Sequence, residues 1–95
     1  MKFFLKVSHK PEKKYDGVFV DDDGHKKIIP FGAKGMSDYT KNHDKERKER
    51  YLNRHQKHED WNDPKTAGAL SKYILWNKPT ISESVSSFKN KFRLQ

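Results

Sequence analysis

The sequence predicts an α+β domain, with a small N-terminal antiparallel β-sheet of two to three strands packed with two to three C-terminal helices. Three observations carry that expectation. Short aromatic and β-branched runs fill the first third of the chain, and an Asp-Gly turn signal joins two of them. Beyond them, apolar residues recur at three- and four-residue spacing between helix caps. A single domain is expected over residues 1–95, β-rich over 1–35 and helical over 36–95, with no internal repeat and no low-complexity segment.

Lys2 to Val7 and Tyr15 to Val20 read as the first two strands, and Lys26 to Phe31 as the third. Asp21-Asp22-Asp23-Gly24 supplies the tight turn before the returning strand. Pro30 cannot donate to a ladder, which places it on an edge or at the strand's end. Phe31-Gly32-Ala33-Lys34-Gly35 reads as a loop whose glycines serve a strand-to-helix turn with positive φ, after which Ser37 or Asp38 starts a short helical turn.

Asp44 is placed to cap a charged helix running to Trp61, DKERKERYLNRHQKHEDW. Asn62-Asp63-Pro64 ends that helix and opens the next, with Asp63 at the cap and Pro64 in the first helical position. Ala67, Leu70, Ser71, Ile74 and Leu75 make the second helix the best candidate for the core. Asn77-Lys78-Pro79 stops it. Thr80-Ile81-Ser82-Glu83 has the capping-box pattern and starts a third helix towards Phe92.

Only 32% of the residues are hydrophobic and 36% are charged, which approaches the composition of disordered chains, but 13% are aromatic. Spread along the chain, those rings supply a small core. Lysine and arginine number 21 against 13 acidic residues, giving a net charge of +8, a field that favours nucleic acid or another anionic partner. Cysteine is absent, which excludes disulfides and thiolate zinc sites. No stretch approaches the roughly 20 apolar residues of a membrane span, and the apolar part of MKFFLKVSHK is too short for a secretory signal. Action inside a cell, or in a particle assembled there, is expected.

The charged helix carries the sharpest functional signal. At 100° per residue, Arg50, Arg54 and Lys57 fall within about 80° of Arg47, with Tyr51, Leu52 and His55 on an adjoining flank. The result is a cationic stripe beside a narrow apolar anchor. A mixed-charge helix is also a common solvated face, held by pairs such as Glu46 with Arg50 and Asp44 with Lys48. Against that reading, Glu46 and Glu49 turn away from the centre of the stripe. Arg47, Arg50, Arg54 and Lys57, assisted by Lys48 and Lys34, are therefore the expected phosphate contacts. Lys2, Lys6, Lys10, Lys13 and Lys14, and at the other end Lys89, Lys91 and Arg93, add positive charge elsewhere.

Other constellations are weaker. Gly32-Ala33-Lys34-Gly35 lacks the spacing of a Walker loop or a dinucleotide fingerprint. His43, His55 and His58 lie near Asp44, Glu59, Asp60 and Asp63 and invite a metal-dependent nuclease reading. Such chemistry needs ligands converging on one open position, and the histidines read more simply as a packing residue, His55, and a solvated one, His58. No catalytic residue, metal ligand or cofactor is expected. Trp61 and Trp76 would stack on bases in a single-strand binder, but closing the core is the simpler role.

The runs FGAKGMSDYT (Phe31 to Thr40), RKERYLNRH (Arg47 to His55) and EDWNDPKTAGALSKYILWNKPT (Glu59 to Thr80), with the basic segment that follows, resemble small basic proteins encoded by nucleocytoplasmic large DNA viruses. The resemblance spans about Tyr15 to Phe92. It implies viral origin and a location in the virion or in the host-cell nucleus or cytoplasm, at the viral factory, and it carries no site residues with it. The expected function is largely sequence-independent binding of nucleic acid, double-stranded DNA foremost, in genome packaging or condensation. The alternative is a virion structural or assembly protein whose basic face meets an acidic protein partner.

Overall fold

The aromatic and β-branched runs form three strands in the computed structural model, which describes residues 1–95. They are β1 (Lys2–Val7), β2 (Lys13–Val20) and β3 (Lys26–Ala33), joined as an antiparallel meander in the order β1-β2-β3. Phe3 lies opposite Phe19, and Phe19 opposite Lys27, so the pleat sends one set of alternate side chains inward. The Asp21 to Gly24 turn closes as its sequence implies. Gly24 N–H donates to the Asp21 carbonyl, and Asp21 Oδ1 accepts from the backbone of Asp23 and His25.

β3 runs past Pro30 to Ala33, where the sequence suggested a loop from Phe31. Pro30 is tolerated because β3 is an edge strand, where a missing donor need not break the ladder. Gly32 and Gly35 do adopt positive φ, of 77° and 91°, but Gly32 does so inside the strand, where a Cβ would lie 2.8 Å from Leu75 Cδ1.

Four helical elements follow. α1 (Tyr39–Asn42) is one turn, capped by the side chain of Asp38. α2 (Lys45–His55) is capped by Asp44, whose Oδ1 accepts from the Arg47 backbone at 3.2 Å. α3 (Ala67–Leu70) continues into a π-helical segment (Ser71–Leu75), and α4 (Ile81–Phe92) is capped by Thr80. At Thr80 only half of the capping box forms. Thr80 Oγ1 accepts from the Glu83 backbone, while the Glu83 carboxylate takes the Thr80 hydroxyl instead of its backbone N–H.

Two helix boundaries differ from the sequence reading. α2 ends at His55 and does not reach Trp61. Glu59 is drawn off the helix path because its carboxylate accepts from both His55 Nδ1 and Trp61 Nε1 and packs against Gly68, where a Cβ would come within 2.6 Å of it. α3 starts one turn later than Asp63 and Pro64 suggested. Thr66 is its cap, accepting from the Ala69 backbone, while Asp63 stabilises the preceding turn through the Lys65 N–H.

The core is small, with 15 of 95 residues buried, so each large ring in it matters. Phe3, Phe19 and Phe31 from the sheet meet Leu70, Ile74 and Leu75 from the α3 segment and Phe88 from α4. Phe3 and Phe88 pack edge to face with centroids 4.8 Å apart, the tilted geometry that ring quadrupoles prefer. A buried ion pair ties β2 to α1: Lys14 Nζ donates to Asp38 Oδ2 while Asp38 Oδ1 accepts from the Thr40 backbone and hydroxyl.

Candidate nucleic-acid interface

α2 buries no residue fully, and its place on the domain is set by a few side chains. Tyr51 stacks on Trp76 with centroids 4.7 Å apart and an interplanar angle of 11°, and His55 stacks on Tyr51 at 4.3 Å. Burial, reinforced by the negative charge of Glu59, pushes the Tyr51 phenol up to about 12, against the opposing effects of a Ser71 hydrogen bond and the Arg54 charge. At the other end of α2, Lys48 Nζ donates to the Asn77 carbonyl at 2.7 Å and sits over the Tyr39 ring. Burial, and then the charges of Lys78 and Lys45, hold the Lys48 ammonium below its usual value, with Glu49 opposing.

With α2 fixed in this way, the helical period turns Arg47, Arg50 and Arg54 towards one cavity of about 470 Å³. Its lining includes Tyr51, Leu75 and Trp76, together with Met36 and the buried Lys14–Asp38 pair. The chain forms five ion pairs, and none contains an arginine. Lys14 is neutralised by Asp38, so the net positive charge of the cavity comes from the three guanidinium groups, whose forked donors suit phosphate oxygens.

Of the six cations expected to meet phosphate, the structure brings Arg47, Arg50 and Arg54 together. Lys34 is exposed in the turn after β3, and Lys57 is exposed beyond the end of α2, so neither lines the cavity. Lys48 is committed to Asn77 and Tyr39. Sequence reasoning did not find the wall supplied by Ser71, Leu75 and Trp76. The helical pattern placed those residues at a core helix and its end, and it is Tyr51, stacked on Trp76 and hydrogen-bonded to Ser71, that brings them beside α2.

The three histidines near the charged helix do not converge. His43 Nε2 donates to the Pro79 carbonyl, His55 Nδ1 engages Glu59, and His58 is exposed. The acidic and histidine side chains that do cluster are Asp21, Asp23 and His25, exposed in the β2–β3 turn, where Asp21 Oδ1 is already satisfied by backbone donors. No helix is long and apolar enough to cross a membrane.

Fold and site together define a small α+β domain with an arginine-lined cleft beside a three-stranded sheet. The chain belongs to the family of unknown function DUF5754, which it matches over residues 4–55, more than half its length. That span takes in the sheet from Phe4 onwards and α2 with all three arginines, and stops short of the Trp-Asn-Asp-Pro string. No curated protein and no solved structure matches the chain.

Proposed function

We propose that this domain binds nucleic acid, with duplex DNA as the leading partner, by seating backbone phosphates against Arg47, Arg50 and Arg54. The observation that carries the reading is the convergence of three arginines, none paired with a carboxylate, on one concave surface of a chain with net charge +8. Phosphate contacts of this kind fix position without reading sequence, and no reading motif accompanies them. In a large DNA virus, the setting implied by the resemblance, such binding would serve genome packaging or condensation in the virion or the viral factory.

Fluorescence anisotropy with two unrelated duplexes across a salt series tests the reading. Affinity should fall linearly in log–log form with salt, and Arg47→Gln, Arg50→Gln and Arg54→Gln together should flatten the slope by about 2 to 3 while weakening both duplexes alike. A triple variant that binds like the parent would exclude the cleft, and no binding by the parent at low salt would exclude the function.

A further inference from the structure

We propose that the face of the sheet turned away from the helices binds an unpaired segment of nucleic acid, using Phe4 as a stacking surface. This takes from the proposed function only the class of partner, and it rests on a different set of residues.

Along β1 the pleat buries Phe3 and turns Lys2, Phe4 and Lys6 to the opposite face. Register then sets Phe4 beside Val18, and Val18 beside Ile28, in one row across all three strands. Phe4 and Ile28 are 48% and 51% exposed, whereas Val18 between them is only 5% exposed, so the row is a continuous apolar strip with two open shoulders. No helix covers it. Of the four large hydrophobic residues exposed in the chain, two stand in this strip.

The rows on either side each carry exposed lysine. Lys2, Val20 and Lys26 form one, and Lys6, Asp16 and Pro30 the other. Lys2, Lys6 and Lys26 are exposed and enter no ion pair. Asp16 forms no ion pair with Lys6; its buried carboxylate accepts instead from the Ser8 hydroxyl and from the backbone and ring of His9.

An occupant must therefore offer flat apolar surface flanked by negative charge. A second copy of the chain would set lysine against lysine, a repulsive arrangement. A duplex keeps its base faces stacked inside, so it has nothing to lay on Phe4. An unpaired strand has both parts, since any base can stack on an aromatic ring while its phosphates meet the lysines. Lys2 and Lys6 each lie two residues from Phe4 along β1, roughly 7 Å to either side, which brackets a base stacked on the ring with cations for the phosphates before and after it.

The full chain is titrated at low salt with fluorescein-labelled dT15 and with a 15-base-pair duplex. Phe4→Ala should weaken dT15 binding about tenfold and change duplex binding less than twofold, because stacking is lost only where bases are free. Phe4→Trp should keep dT15 affinity, with its added tryptophan fluorescence quenched on binding. Phe4→Ala with unchanged dT15 affinity and an unchanged circular dichroism spectrum would overturn the proposal, as would a change of apparent mass on gel filtration, which would assign the strip to self-association. The variant with Arg47, Arg50 and Arg54 replaced separates the two sites. If it loses duplex binding while Phe4→Ala is silent, the cleft stands and the sheet face fails; if the Phe4 effect appears while that variant still holds duplex, the sheet face stands and the cleft fails.

Discussion

α2 and α4 are nearly the same length, 11 and 12 residues, and both begin at a side-chain cap, yet they are held in opposite ways. α4 buries Ser84 and Phe88, and Phe88 meets Phe3, Phe19, Tyr73 and Phe92. α2 buries nothing completely and hangs on the Tyr51 stack and the Lys48–Asn77 hydrogen bond. The difference separates two tasks. One helix anchors a ring at the centre of the core, while the other is attached through Tyr51, His55 and Lys48 and keeps its arginines free of carboxylates.

That division can be broken from the core side first. Phe88→Ala should cost roughly 3–5 kcal/mol, seen as an early midpoint in urea unfolding that takes the whole domain with it. Asp38→Ala should cost about 3 kcal/mol or more, because it leaves Lys14 buried and unpaired, and should unfold the same cooperative unit. Lys14→Met combined with Asp38→Leu should recover much of that loss.

The next effect is confined to α2. Because the folded protein holds the Tyr51 phenol protonated up to about 12, against an ordinary value near 10, its contribution is fully present below pH 10 and is lost as pH rises towards 12. Burial raises the Tyr73 phenol as well, so spectroscopic titration should show late-ionising tyrosine, and Tyr51→Phe should remove one late-ionising group while keeping the stack on Trp76. If Tyr51→Phe leaves the late-ionising population unchanged, α2 is not docked as described. The smallest effect sharpens the comparison most. Replacing Arg47, Arg50 and Arg54 by Gln should shift stability by no more than about 0.5 kcal/mol, since the side chains pair with nothing in the folded chain, while polyanion affinity collapses.

What could be read from the sequence was what neighbouring residues decide between themselves. The Asp21 to Gly24 turn, the Asp44 cap and the clustering of Arg47, Arg50 and Arg54 all follow from spacings of a few residues. Features that depend on distant partners were hidden. The end of α2 is set by Glu59 choosing Trp61 and Gly68, the Lys14–Asp38 pair joins residues 24 apart, and the exposed row of Phe4, Val18 and Ile28 exists only once strand register is fixed. The cleft was half legible. Its cations follow from helical periodicity, but its opposite wall comes from a helix whose own pattern speaks only of burial.

The borders of the sheet bear on how many copies can share one polyanion. On β1, the backbone of Phe3 donates to the Gln95 carbonyl and that of Gln95 to the Met1 carbonyl, while β3 carries Pro30 near its middle. Neither border offers an unbroken ladder to another chain. If the chain coats DNA as proposed, neighbouring molecules would thereby be kept from zipping together edge to edge, and a dense coat would stay a set of separate, exchangeable units and would not set into a fibre.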